Sequence, residues 1–292
     1  MKRYIYYPLY CAMLLLLSCE SFLDKKPDQR LAVPATLADL QALLNEHDKM
    51  NHQAPNLGEI SSGNFYLSDN DWAGLPLEER NIYIWNRANL FPPEFNDWSM
   101  NFAPVYVANT VLETMTSISR DAANSRNWDH VKGQALYYRA HHFLQAAYVW
   151  APAYDAATAA TDLGIPLRLS SDFNIRSTRA SVEETYARIL QDLKEAAKLL
   201  PTTTSHPIRP YKASAYALLA RTYLSMRQYG QAALYADSTL QLQPGLLDYN
   251  ALNLTATYPF PRTHPEVITE HYAWGVTLLL REDRAKVDPV LY

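Results

Sequence analysis

The chain has 292 residues, and its 26 lysines and arginines stand against 30 aspartates and glutamates, for a net charge of −4. An acidic balance without a basic cluster argues against a nucleic acid as the partner, because affinity for phosphates depends on concentrated positive charge. The length is sufficient to bury a hydrophobic core without the help of disulfides.

The N-terminus has the organisation of an export signal. Basic residues at positions 2 and 3 precede an apolar run of 13 residues, Ile5 to Leu17, and Ser18 stands directly before Cys19. The run is shorter than the roughly 20 residues that a membrane span needs. The order is typical of a lipoprotein signal, cleaved so that Cys19 is acylated, for example with palmitate. The alternative is an ordinary secretory signal with a cysteine there by chance. Cys11, the only other cysteine, falls within residues 1–18, which we expect to be removed, so no disulfide is expected.

A polar tether is predicted over residues 19–36, followed by a helix from about Leu37 to Lys49 with leucines on one stripe. Between residues 51 and 97 the pattern changes. Gly, Pro, Asn and Asp are frequent there, and no helical or strand period is sustained. Irregular stretches of this length in compact domains usually carry function.

Helical periodicity dominates the rest of the chain. The predicted helices are Trp98–Ser119, Trp128–Trp150, Ser181–Leu200, Pro210–Met226 and Tyr229–Leu242. The helix over 128–150 is apolar on most sides and is expected to be central. Ser181 with Glu184 three residues later forms a capping box, and Pro201 ends that helix. Residues 151–177 are predicted to form a loop.

The last two predicted helices match one tetratricopeptide unit over residues 211–244. The matching positions are Tyr216, Leu219, Ala220, Tyr223, Tyr229, Ala232, Leu240 and Pro244. The small residues let the two helices approach closely. One unit cannot bury its apolar face alone, so neighbouring helix pairs are expected to stack on it.

No catalytic or metal-binding motif is evident, and we predict no enzyme activity, no cofactor and no metal. His141 and His142 are adjacent on a helix and point about 100° apart, and His130 does not complete a ligand set with them. Packed or solvent-facing histidines are the expected outcome. Acidic pairs such as Glu78-Glu79 carry no local sign of a glycosidase site.

Aromatic residues are the remaining candidates for binding. The chain has 21 tyrosines and 6 tryptophans, which suits neutral, hydroxyl-rich ligands because these rings combine an apolar face with a polar tip. Rings that stack on a sugar, with polar side chains beside them for the hydroxyl groups, are concentrated in the irregular segment. The candidate ligand-binding residues are Asp71, Trp72, Tyr83, Trp85, Asn86 and Arg87. The competing interpretation is that these rings only pack at the edge of the helical core.

The placed segments resemble the SusD/RagB family of outer-membrane lipoproteins that act in nutrient uptake. The stretches that carry the resemblance are Ser18-Cys19-Glu20 with Phe22-Leu23-Asp24 and Pro27, then Tyr83-Ile84-Trp85 with Trp98, Tyr106 and Asn109, then Gly133–Ala140 and Asp162–Leu167, and finally Arg179, Ser181-Val182, Tyr186, Asp192-Leu193, Leu200-Pro201 and His264–Ile268. Each is weak alone, but their common order along the chain is specific.

The resemblance implies a mainly all-α fold, a tetratricopeptide-like helical solenoid of about four units, over residues 37–258 with the irregular insert at 51–97. It also implies a non-catalytic protein, lipid-anchored in the outer membrane at the cell surface. Such a protein binds an oligosaccharide or similar nutrient and delivers it to a TonB-dependent, SusC-like transporter. Arg139 and the turn Gly164–Leu167 have structural roles in this picture.

Family members usually continue well beyond the point reached by residue 292. Residues 259–292 therefore resemble the start of a C-terminal region that is cut short, and a shortened solenoid is expected to expose apolar surface. Two other hypotheses remain open from the sequence. One is a helical-repeat lipoprotein scaffold that binds only protein partners, and the other is a non-functional gene fragment.

Overall fold

The computed structural model describes residues 33–273 and 285–291. The export signal, Cys19 and most of the tether lie outside the described residues, as does part of the predicted C-terminal region. Contacts divide the chain after Ala35, and every element below belongs to the unit Thr36–Tyr292.

The helices are α1 Leu37–Leu44, α2 His47–Met50, α3 Leu57–Ile60, α4 Asp69–Ala73, α5 Leu77–Tyr83, α6 Asp97–Thr114, α7 Ser125–Trp150, α8 Val182–Leu199, α9 Lys212–Ser225 and α10 Tyr229–Leu242. The strands are β1 Phe65–Tyr66, β2 Leu163–Pro166, β3 Arg179–Ser181 and β4 Lys286–Val287, which form the antiparallel pairs β1–β4 and β2–β3.

The long helices pack in chain order, α6 on α7, α7 on α8, α8 on α9 and α9 on α10. This neighbour-on-neighbour arrangement is what stacked helix pairs produce, and it confirms the mainly helical, tetratricopeptide-like fold. The central position predicted for the long helix is confirmed as well. One nearly continuous core surrounds α7, and its largest fully buried side chains include Tyr138, Phe143, Leu144, Ile189, Leu193 and Leu219.

The first predicted helix, Leu37–Lys49, is wrong as a single element. Helix α1 ends at Leu44, and Asn45 caps it by donating its backbone N–H to carbonyls of the last turn. Glu46 then leaves the helical region at φ −72°, ψ 80°, and α2 starts anew at His47. The apolar stripe itself stops at Leu44, because no apolar residue follows before Met50, so the helical period ends where α1 ends.

The loop predicted over 151–177 contains a strand that the sequence did not reveal. Strand β2 holds Gly164 and Pro166, two residues that are depleted in strands, which explains why the pattern was missed. It pairs with β3, and the predicted capping box follows directly: Ser181 accepts a hydrogen bond from the Glu184 N–H, and the Glu184 carboxylate accepts one from the Ser181 N–H.

Gly164 is required by close approach, and we expect Gly164→Ala to lower the free energy of unfolding by about 1–3 kcal/mol. A Cβ there would lie 2.5 Å from the Ser181 carbonyl oxygen and would also clash with Thr185 Oγ1. Gly230→Ala is the matched control, because a Cβ at Gly230 in α10 meets nothing within 4 Å. That change should be neutral or stabilising by up to about 1 kcal/mol. Urea unfolding of both variants measures the difference, and equal effects would contradict it.

The two helices predicted over 210–226 and 229–242 are present as α9 and α10, and they pack on each other. Tyr235 of α10 stacks on Tyr223 of α9 with 5.6 Å between ring centroids, and Ala232 is buried where the helices meet. The outer face of α10 is apolar and exposed at Leu234 and Leu240. Across the described part of the chain, no helix has both the length and the apolar character needed to cross a bilayer.

Candidate functional site

The irregular segment between α2 and α6 folds into short helices around a cleft of about 310 Å³. This volume is at the lower end of the range for small-molecule sites. The lining is mostly apolar with several acidic or amide groups: Asn56, Leu57, Ile60, Pro76, Glu78, Glu79, Ile82, Leu90, Phe91, Pro92, Phe95, Asn96 and Asp97. An apolar concave surface with a few polar groups is the common composition of a binding site.

Asp97 fixes one wall of the cleft. Its carboxylate accepts hydrogen bonds from the backbone N–H groups of Asn56 (2.9 Å) and Leu57 (3.0 Å) at the start of α3. Burial raises the pKa of Asp97, because it disfavours the charged form more than the two hydrogen bonds favour it. The carboxylate therefore connects the start of α6 to α3 and is a structural part of the site.

Trp85 is exposed to solvent, unlike the two other aromatic residues among the predicted site residues. Its side chain is 77 % exposed, and its indole N–H donates a hydrogen bond to the Ser61 carbonyl (3.0 Å), next to Ile60 in the cleft lining. Its backbone lies in the left-handed region at φ 59°. That conformation costs a non-glycine residue about 1–2 kcal/mol. Such strain persists only where the surrounding contacts impose it, and it is concentrated at functional sites.

Phe95 shows the same combination beside the cleft, at φ 53° and 69 % exposed. Sequence reasoning did not select Phe95 or its neighbour Phe91. The only local signal is an aromatic pair around Pro92 and Pro93 in an irregular stretch, which does not distinguish a binding loop from a packed one.

Trp72 and Tyr83 are placed differently. The Trp72 indole N–H donates to the Arg80 carbonyl (3.2 Å), and the Arg80 guanidinium lies 5.7 Å from the ring centroid. The Tyr83 hydroxyl accepts the Leu67 N–H (3.1 Å). Both rings are partly buried and connect α4, β1 and α5 to one another.

The remaining predicted residues differ in how far their polar groups are engaged. The Asp71 carboxylate accepts a hydrogen bond from the N-cap Ser68 hydroxyl. The Asn86 side chain donates to Asn81 and accepts from the Ala88 N–H. Arg87 is exposed, and its guanidinium forms no ion pair with any described residue. The structure thus brings the six residues into one insert but does not gather them around a single cavity.

His141 and His142 of α7 are packed in the core, whereas His130 is partly buried. His142 is fully buried, with Nδ1 3.0 Å from the Asn101 side-chain oxygen, and His141 stacks on His271 at 3.8 Å between ring centroids. Burial lowers the pKa of His142 to about 4. Burial also lowers the pKa values of His141 and His271 well below the usual value, and nearby positive charge adds to the shift. These residues are neutral core groups.

Stacked helix pairs with a tetratricopeptide-like unit and a long irregular insert define a helical-repeat protein whose insert carries the candidate binding surface. The chain belongs to the SusD-like family described as "starch-binding associating with outer membrane", whose model matches residues 21–224. No curated protein matches the chain.

Solved structures share the fold. A putative sugar-binding protein from Bacteroides vulgatus is similar with a TM-score of 0.63 at 21 % identity, over 72 % of this chain and 47 % of its own. A SusD superfamily protein from the same species gives 0.63 at 20 % identity, over 74 % and 50 %. Another from Bacteroides thetaiotaomicron gives 0.60 at 21 % identity, over 74 % and 49 %. The chain thus spans about half the length of these proteins.

Proposed function

We propose that this protein is a non-catalytic lipoprotein that binds a glycan or similar nutrient on the insert between α2 and α6. Membership of a family described as starch-binding supports the ligand class. The observation that carries the proposal is Trp85, an exposed ring held in a strained backbone conformation beside an apolar cleft.

The Trp85 ring suits a sugar because its face is apolar and its position is already fixed. A pyranose presents a C–H face that packs on an aromatic ring, and burial of that face provides the gain in free energy. The hydrogen bond from the indole to Ser61 restrains the ring before the ligand arrives. The ligand therefore orders little of the protein when it binds, which preserves affinity.

The other candidate residues divide into two roles. We assign Arg87 to hydrogen bonds with sugar hydroxyl groups, because its guanidinium is exposed and forms no ion pair within the described residues. Trp72, Tyr83, Asp71 and Asn86 position the insert, because their polar groups already bond within it. No reaction is part of this mechanism, which consists of capture and release.

We further propose that Cys19 is acylated after cleavage and anchors the protein at the surface of the outer membrane. There it would hand the ligand to a TonB-dependent, SusC-like transporter. The family description, which includes association with the outer membrane, supports this location. The basic positions, the short apolar run and Ser18 before Cys19 support the anchor.

Trp85→Ala should weaken polysaccharide binding at least tenfold, since loss of a central aromatic hot spot commonly costs about 2 kcal/mol or more and about 1.4 kcal/mol corresponds to tenfold. The measurement is retardation in native gels that contain amylopectin, pullulan, xyloglucan or laminarin. Phe173→Ala is the matched control, because Phe173 is also an exposed aromatic residue but lies in the loop between β2 and β3. It should leave the retardation unchanged.

The opposite results would be informative. A parent protein that no glycan retards would favour the scaffold hypothesis, in which all partners are proteins. Equal retardation of the parent and Trp85→Ala would show that the glycan binds elsewhere. An intact circular dichroism spectrum of the variant separates these results from a loss of fold.

A further inference from the structure

Two histidines and a glutamate that are distant in the sequence meet outside the insert. His47 is the first residue of α2, His52 follows the end of that helix, and Glu270 lies in the segment that follows α10. One potential ligand atom from each lies within 4.8 Å of the other two. Imidazole nitrogen and carboxylate oxygen form a donor set that suits Zn²⁺ and related divalent transition metals.

The backbone holds this cluster in place. The Tyr272 N–H donates to the Asn51 carbonyl (2.8 Å), and the Ala54 N–H donates to the Tyr272 carbonyl (3.3 Å). The Asn51 side chain donates to the Glu270 carbonyl (2.8 Å). The segment that carries Glu270 is therefore fixed against the segment that carries the histidines, on both sides of the cluster.

Each of the three residues has a buried polar atom without a hydrogen-bond partner among the described residues. These atoms are His47 Nδ1, His52 Nε2 and Glu270 Oε2. Buried polar atoms are almost always satisfied in proteins, and an unsatisfied one costs about 1–3 kcal/mol. The polar groups of this cluster are therefore not saturated by the protein itself, which leaves each of the three residues able to take a further ligand.

The second ring nitrogen of His52 supports the same interpretation. His52 Nδ1 lies 3.2 Å from the Asp48 carboxylate. A carboxylate at the far nitrogen of a metal-binding histidine fixes the tautomer and makes the other nitrogen a better ligand. With the proton on Nδ1 facing Asp48, His52 Nε2 keeps a free lone pair that can bind a metal ion.

We propose that His47, His52 and Glu270 form a site for a divalent transition-metal ion of the Zn²⁺ type. Three protein ligands leave the fourth tetrahedral position to water or to an external ligand. The ion would fasten the segment after α10 to α2. The spacing of up to 4.8 Å between ligand atoms is wider than the about 3.3 Å of a closed tetrahedral site, so the side chains move inwards on binding.

Arg262 competes for the same ligands. Its guanidinium donates to Glu270 Oε1, and one of its nitrogens lies 3.2 Å from His47 Nε2. The side chain is 59 % exposed and can turn into solvent. Arg262 therefore neutralises Glu270 without the ion and must withdraw when the ion enters, so removal of Arg262 should strengthen metal binding.

The test measures Zn²⁺ affinity of the full chain by competition with a chromophoric chelator, with Cys11 and Cys19 alkylated in every sample. His47→Gln and His52→Gln should each weaken binding at least tenfold. His206→Gln, at an exposed histidine outside the cluster, should leave it unchanged. Arg262→Gln should tighten binding at least threefold, a gain that misfolding cannot produce.

Absence of Zn²⁺ binding by the parent would overturn the proposal. So would equal affinity of the parent and both cluster histidine variants, which would place the ion on other residues. An Arg262→Gln variant that binds no more tightly than the parent would show that the guanidinium does not compete, and would also overturn it.

Discussion

Asp192→Asn is expected to lower the free energy of unfolding by about 3–5 kcal/mol, because it leaves a buried guanidinium without its counter-charge. Asp192 is fully buried in α8, and both its oxygens accept hydrogen bonds from Arg139 of α7, at 2.8 and 2.9 Å. Arg188 also donates to Asp192, and Arg139 donates to the Asn109 side chain of α6 (2.9 Å). The network connects three helices and confirms a structural role for Arg139.

An ion pair between the same two helices provides the control. The Lys132 Nζ of α7 lies 2.6 Å from the Glu195 Oε1 of α8, but both side chains are partly exposed to solvent. Solvent screening leaves such a pair with about 0–1 kcal/mol, so Glu195→Gln should have little effect. Urea titration of both variants at pH 7 measures the contrast. Similar losses in the two variants would show that burial of Asp192 is not what makes its pair important.

Acid should destabilise the protein between about pH 6.5 and pH 4, a loss that begins well above the pH at which carboxylates take up protons. Burial lowers the pKa of His142 from 6.5 in the unfolded chain to about 4 in the folded one. The unfolded state therefore binds the proton first as the pH falls. The stability present above pH 6.5 is lost progressively down to pH 4, by about 3 kcal/mol for His142 alone, at 1.36 kcal/mol for each pH unit.

His141 and His271 add to this loss, because their pKa values are lowered in the same direction. The measurement is the free energy of unfolding at several pH values between 7.5 and 4. His142→Gln removes one titrating group and should show a shallower dependence, whatever its stability at pH 7. A stability that stays constant over this range would mean that the buried histidines are protonated in the folded state or solvated.

Features encoded by neighbouring residues were predictable from the sequence. The capping box of Ser181 and Glu184 needs only a spacing of three, and α10 begins and ends at the predicted residues, Tyr229 and Leu242. The central position of α7 followed from the apolar character of most of its faces. Each of these depends on local propensity or on a helical period, and the fold obeys both.

Features created by contacts between distant residues were not predictable. The insert shows no helical or strand periodicity. Neither its cleft nor the hydrogen bonds from the start of α3 to Asp97 could therefore be derived from residue spacing. Nothing in the sequence brings Glu270 to His47, because their proximity depends on the pairing of the segment after α10 with residues 51–54. Phe95 acquires its significance only from its exposure and its left-handed backbone.

The most direct test of the central claim compares Trp85→Phe with Trp85→Ala in calorimetric titrations, using soluble oligosaccharides of the glycan that retards the parent most. If the ring binds sugar by stacking, Trp85→Phe should retain much of the affinity, while Trp85→Ala should lose at least tenfold. If both variants bind as weakly as each other, or if both bind as well as the parent, the Trp85 ring is not a stacking surface for the glycan.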